Sequence, residues 1–195
     1  YILKKYCPRI EFDSYEDFAE NFRIEVPEAF NFGFDVVDEW AAVEPDKRAL
    51  LWTNDAGEER TFTFADIKRL SNQAANAFAE LGIGKGDVVL CILRRHWEYW
   101  ICAVALCKLG ATIIPASLQL TRKDVVYRVN SADVKAIVAV NDDYVCTQVE
   151  QAMPDCPSVI EKFIVDGSRE GWVDFDDLIA GFPDTFERPT GDAAV

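Results

Sequence analysis

The stretch from Gly82 to Val140 constrains this chain more than any other. An apolar run, Val88–Leu93, is followed by an aromatic-rich stretch, His96–Leu109, that is apolar nearly all round. A short run ending at Pro115 comes next, then a segment opened by Thr121, then the apolar run Ala136–Val140. Strand and helix alternate, and repeated winding of this kind needs a parallel sheet covered by helices. The pattern predicts an α/β fold with a mostly parallel sheet.

The flanking residues add elements to that frame. Asp13 or Ser14 caps a short helix through about Arg23, and Pro27 breaks the chain. A helix is expected from Gly33 to Val43, with Phe34, Val37, Trp40 and Ala41 on one face. Arg48–Thr53 and Arg60–Phe64 read as a β-hairpin on the N-terminal side, joined by the turn-forming Asn54-Asp55-Ala56-Gly57. Thr63 caps the next helix, with Asp66 in the capping-box position. Ile67, Leu70, Ala74, Phe78 and Leu81 make its buried stripe, and Gly82 stops it. Beyond Val140 a helix near Tyr144–Ala152, a strand at Ile160–Val165 and a helix at Phe175–Ala180 follow. From Gly181 the composition turns to Pro, Gly and charge, which reads as a linker.

Half of the residues are hydrophobic, enough for a real core. The net charge of −14 repels phosphodiester backbones and anionic lipid, so nucleic-acid and membrane-surface partners are not expected. The apolar run Trp100–Cys107 is too short to span a bilayer. Six cysteines without a CxxC pair, three of them in predicted core elements, fit reduced thiols in a cytoplasmic protein. A single histidine makes a Cys/His metal site improbable.

Several motifs suggest chemistry, and most have a plainer reading. Gly82-Ile83-Gly84-Lys85-Gly86 follows a helix and precedes a strand, the reverse of a phosphate cradle, so it is a turn. His96 has no nucleophile arranged with it and reads as a helix-end residue. Asp142-Asp143 and Asp176-Asp177 sit where carboxylates meet helix N-termini. Arg94-Arg95 and Arg122-Lys123 read as solvated helix-end charges. Trp97, Tyr99 and Trp100 are core residues or, less directly, the lining of an acyl pocket. Pro115-Ala116-Ser117-Leu118-Gln119-Leu120 leaves the C-terminal end of a strand, the edge where open parallel sheets bind ligands; a plain connecting loop is the alternative.

The wording of the chain also resembles the adenylate-forming acyl-CoA synthetases, their medium-chain branch above all. The similarity runs from Val26-Pro27-Glu28-Ala29-Phe30-Asn31-Phe32 through Asp35-Val36-Val37-Asp38 and Gly86-Asp87. It is sharpest at Gln119-Leu120-Thr121-Arg122-Lys123-Asp124 with Tyr127-Arg128, and recurs at Ser168-Arg169-Glu170-Gly171-Trp172. The resemblance implies the first part of the large N-terminal domain of such an enzyme. Residues 1–25 are then a helical appendage, 26–182 the α/β subdomain, and 183–195 a linker towards the family's phosphate loop, expected beyond Val195. It also implies ATP, CoA and Mg2+ as cofactors of the whole enzyme, none held tightly by this portion, and a carboxylic acid, medium-chain fatty by preference, as substrate. Gln119 then lies where the CoA thiol arm enters, and the ribose-contacting acid and the catalytic lysine lie beyond this chain. The rest of the same polypeptide is the expected partner, with self-association of the portion alone. An acetyl- or aryl-CoA ligase, a flavodoxin-like module and a non-catalytic interaction domain are the alternatives.

Overall fold

Local signals set the element boundaries, and they recur in the computed structural model, which describes residues 2–190. In chain order the elements are α1 (Leu3–Tyr6), α2 (Tyr15–Asn21), a π-helical turn (Gly33–Asp38) running into α3 (Glu39–Val43), β1 (Arg48–Thr53), β2 (Glu59–Thr63), α4 (Phe64–Glu80), β3 (Val88–Ile92), α5 (Glu98–Leu109), β4 (Thr112–Pro115), α6 (Arg122–Ala132), β5 (Val134–Val140), α7 (Asp143–Ala152), β6 (Glu161–Val165), β7 (Val173–Asp174) and α8 (Phe175–Ala180). Both capping boxes form: Thr63 with Asp66 opens α4, and Thr121 with Asp124 opens α6. Each satisfies two N–H groups that a helix start leaves unpaired. Gly110 ends α5 at φ 70°, a left-handed conformation that costs glycine nothing.

Five strands form one parallel sheet in the order β4-β3-β5-β6-β7, and β1 pairs antiparallel with β2 as a separate hairpin. The chain moves one way from β3 to β4 and the other way from β4 to β5 and from β5 to β6. Right-handed crossovers therefore lay α5 on one face and α6 and α7 on the other. The packing agrees: α4 touches α5 and α8, whereas α6 touches α7. Covered on both sides, β5 buries Val134 and all of Ala136–Val140.

The structure departs from the sequence reading at four places. The helix expected from Gly33 begins as a π-turn, with Asn31 Oδ1 accepting from the Gly33 N–H at 2.9 Å. Gly33 is there because a Cβ would meet Lys108 Cγ at 2.6 Å and the Val104 carbonyl at 3.2 Å. The helix α5 is not buried all round: Trp100 is 53% exposed, while Glu98 and Lys108 are inside. The short α1 and the two-residue β7 carry too little pattern to be foreseen. Finally, the segment after Gly181 has no helix or strand through residue 190, yet it is tied down by side chains of α4 rather than free. Residues 191–195 of the expected linker lie outside the described residues. All six cysteines are free thiols, five of them buried, as the sequence suggested.

Candidate active site and its surroundings

The C-terminal ends of the parallel strands form one edge, and α5 leaves it towards one face while α6 and α7 leave towards the other. Such a divergence opens a crevice at the strand ends. Loops after β3 (Leu93–Trp97), β4 (Ala116–Leu120), β5 (Asn141, Asp142) and β6 (Asp166–Arg169) meet there.

The structure brings together two of these loops that the sequence could not pair. His96 Nε2 lies 3.1 Å from Asp166 Oδ2. Asp166 is held at φ 71°, a left-handed conformation that Asp tolerates better than most residues. Asn141 Nδ2 supports this turn by donating to the Asp166 carbonyl at 3.2 Å. The hairpin closes the crevice from above: the Trp52 indole N–H donates to the Arg95 carbonyl, and Asp55 lies 3.7 Å from Arg94 Nη2. A cavity of about 380 Å³ results, lined by residues that include Trp52, Asn54, Arg94, Arg95, His96 and Asp166. Arg94 and Arg95 are solvated, as expected, at 62% and 79% side-chain exposure.

Gln119 does not line that cavity. It sits in the exposed turn after the edge strand β4, its own N–H bonded to Ser117 Oγ at 3.2 Å. The rest of its motif is structural. Arg122 ties α6 to α7 through the Gln151 carbonyl at 3.0 Å and through Asp155. Arg169 and Trp172 clamp the β6–β7 connection on α7, both bonding Glu150 Oε1, at 2.8 and 2.9 Å. The two acidic pairs also stay structural. Asp142 caps α7 through the Val145 N–H, and Asp176 and Asp177 fall in the first turn of α8, which Asp174 caps. Among the aromatics, Trp97 packs on Phe62 with Arg60 over both rings at 4.4 Å, while Trp100 and Phe32 border an apolar cavity of about 370 Å³.

Two buried charged groups escaped the sequence reading. Glu98 opens α5 at 4% exposure, and its Oε2 has no hydrogen-bond partner. Burial pushes its carboxyl up to about 8, with Asp176 and Asp166 reinforcing the shift and Arg60 opposing it. Asp176 follows, raised to about 6 by burial and by Asp174. On the opposite end of α5, Lys108 is fully buried; its Nζ lies 2.7 Å from Asp38 Oδ1 and 2.6 Å from Asn72 Oδ1. Burial raises the Asp38 carboxyl and lowers the Lys108 ammonium, and their contact opposes both shifts. A charged residue within an apolar helix is the available signal for both, but their partners lie in distant segments.

Comparison with known proteins places this architecture. The AMP-binding enzyme family matches residues 37–188. Acyl-coenzyme A synthetase ACSM3, mitochondrial, of Pongo abelii is 37% identical over 83% of this chain and 28% of its own length. The Homo sapiens ACSM3 is 35% identical over 86% and 30%, and ACSM5 of Mus musculus 38% identical over 79% and 28%. The chain thus spans less than a third of these relatives. The anthranilate CoA ligase AuaEII, solved with anthranoyl-AMP, shares the fold with a TM-score of 0.74 at 21% identity, over 84% of this chain and 30% of that one. The expected cytoplasmic location does not stand, because the matched synthetases are named as mitochondrial. Reduced cysteines had suggested it, and they do not distinguish one reducing compartment from another. On the family match and these relatives together, the chain belongs to the AMP-binding enzymes, with its likeness to their acyl-CoA synthetases.

Proposed function

We propose that this chain is the N-terminal portion of an enzyme that activates a carboxylic acid, medium-chain fatty by preference, with ATP and passes the acyl group to CoA. The carboxylate oxygen attacks the α-phosphorus of ATP, forming acyl-AMP and releasing pyrophosphate. The CoA sulfur then attacks the acyl carbon, AMP departs and the thiol proton is lost to solvent. The family match over residues 37–188 carries this reading, with the names of the relatives as its support.

The chain's own residues fit only part of that chemistry. Among the described residues, no group of three or more His, Cys, Asp or Glu side chains is arranged to hold a metal ion, so no step here runs through Mg2+. The one glycine-rich run, Gly82–Gly86, connects α4 to β3 and points no helix N-terminus at a phosphate. This portion alone is therefore expected to be inactive in carboxylate-dependent ATP–pyrophosphate exchange. Exchange above the no-enzyme blank would overturn that expectation.

Gln119 is the proposed CoA contact, since its carboxamide is exposed at the strand-end edge and can donate to or accept from the thiol arm. In the full-length enzyme, Gln119→Ala is expected to leave acyl-AMP formation unchanged. It should raise the apparent KM for CoA by up to about tenfold, the equivalent of one lost hydrogen bond. Equal loss in both half-reactions, or in neither, removes Gln119 from the site. A full-length enzyme that exchanges with benzoate or acetate but not with octanoate would shift the proposal to an aryl- or acetyl-CoA ligase. No exchange with any acid would favour a non-catalytic domain. The remainder of the polypeptide is the proposed cover for the apolar cavity beside Trp100, and the portion alone is expected to self-associate through it.

A further inference from the structure

We infer that residues 182–188 form a releasable strap, docked on α4 through recognition of its backbone, with Asn72 coupling that docking to the buried Lys108 pair. Three amide side chains of α4 take four successive carbonyls. Gln73 Nε2 donates to the Phe182 carbonyl at 3.2 Å, and Asn72 Nδ2 to that of Asp184 at 2.8 Å. Asn76 Nδ2 lies 2.9 Å from both the Pro183 and the Thr185 carbonyls. Positions three and four apart are neighbours on a helix, so 72, 73 and 76 make one polar patch. The donors belong to α4 and the acceptors are main-chain groups, so this end of the strap is held through its backbone.

The far end of the strap is pinned separately. Arg188 grips the Asp35 carboxylate with Nη1 at 2.7 Å and Nη2 at 2.9 Å and also reaches the Ala29 carbonyl. Phe186 stacks on Phe34 with ring centroids 6.4 Å apart. Between these anchors residues 183–185, 187 and 188 are exposed. Phe182 and Phe186 are half-buried against the core while the rest of the segment is exposed and held by a few polar bonds, which places it towards the low end of local stability.

Asn72 makes the strap more than a frayed tail. It is 2% exposed, and its Oδ1 accepts from Lys108 Nζ while its Nδ2 holds Asp184. One side chain thus serves the strap and the buried ammonium together. Lifting the strap breaks the Asn72–Asp184 bond and frees the amide that also orients Lys108, which ties docking to the order of the Lys108 site. None of this depends on the enzymatic reading.

Limited chymotrypsin digestion of the full-length protein, followed by mass spectrometry at the Phe186–Glu187 bond, tests the strap. Cleavage follows the population of the open form when opening is fast. Asn72→Asp keeps an oxygen for Lys108 but removes the donor to Asp184. It is expected to speed cleavage at Phe186–Glu187 about tenfold more than at bonds within β3 or β5, one hydrogen bond's worth of local opening. Arg188→Met should speed the same cut, and Asn72→Ala should speed it and also lower the thermal midpoint. Wild-type cleavage in both Asn72→Asp and Arg188→Met would overturn the strap. So would acceleration that is equal at bonds within β3 or β5, because that reports global unfolding.

Discussion

Lys108→Met is expected to lower the unfolding free energy by about 3–5 kcal/mol near neutral pH, the usual cost of removing one member of a buried ion pair. The geometry gives the reason. Lys108 is fully buried and its ammonium satisfies both Asp38 Oδ1 and Asn72 Oδ1. Methionine fills most of the volume, so the loss is electrostatic rather than a cavity. It strands a carboxylate that burial already pushes towards its neutral form. The deficit should therefore shrink as pH falls and Asp38 takes up a proton. Replacing both charges, Lys108→Met with Asp38→Asn, should recover most of the loss, since it leaves no buried charge unpaired and only the Asn72 amide oxygen short of a donor. Urea unfolding of the single and double variants measures this. A double variant no more stable than Lys108→Met alone would mean that the pair's charges are not what holds the site.

Glu98→Gln should act in the opposite sense and stabilise the protein by a few kcal/mol above about pH 8. The carboxyl is raised from 4.5 to about 8 because it is buried, with Oε2 unpartnered and Asp176 and Asp166 nearby. Below 4.5 both folded and unfolded chains carry the proton, and Glu98 costs nothing. As pH rises through the interval to about 8, the unfolded chain releases its proton first, so stability is lost; above that the penalty is complete and flat. Glutamine keeps the shape and carries no charge, so its advantage should be absent near pH 4, grow through neutrality and level off. Asp176 adds its own loss between 3.8 and about 6, in the parent and the variant alike. Denaturant midpoints measured across this range would show the growing difference. A difference independent of pH would mean that Glu98 is charged in the folded protein.

These two groups mark where sequence stops being enough. Capping at Thr63 and Thr121 and the apolar runs at Val88 and Ala136 were legible because each is set by residues a few positions apart. The parallel sheet followed from the winding, whereas the order of its strands, β4-β3-β5-β6-β7, came only with the structure. Glu98 drew no notice in the sequence, because its burial, with Asp176 and Asp166 brought near from distant segments, arises only in the fold. Lys108 was not singled out, because Asp38 stands 70 positions away and Asn72 36. The strap read as a linker because its Pro, Gly and charge describe its own residues, whereas the amides that hold it belong to α4. Gln119 was legible in place, in a turn after β4, while its role rests on resemblance.

The position of β3 between β4 and β5 has a consequence for biosynthesis. Both neighbours come later in the chain, so β3 leaves the ribosome with neither edge paired. Translation from Ile92 to Val140 takes on the order of 2–10 s at about 5–20 residues per second. Until Pro115 has emerged Val88–Ile92, wholly apolar, presents two open edges, and one of them stays open until Val140, the condition under which nascent strands find wrong partners. The helix α4 is already made and can shelter one face, but no later element can shelter an edge before β4. Slowing translation within α5 should lower the yield of soluble protein more than slowing it after β5.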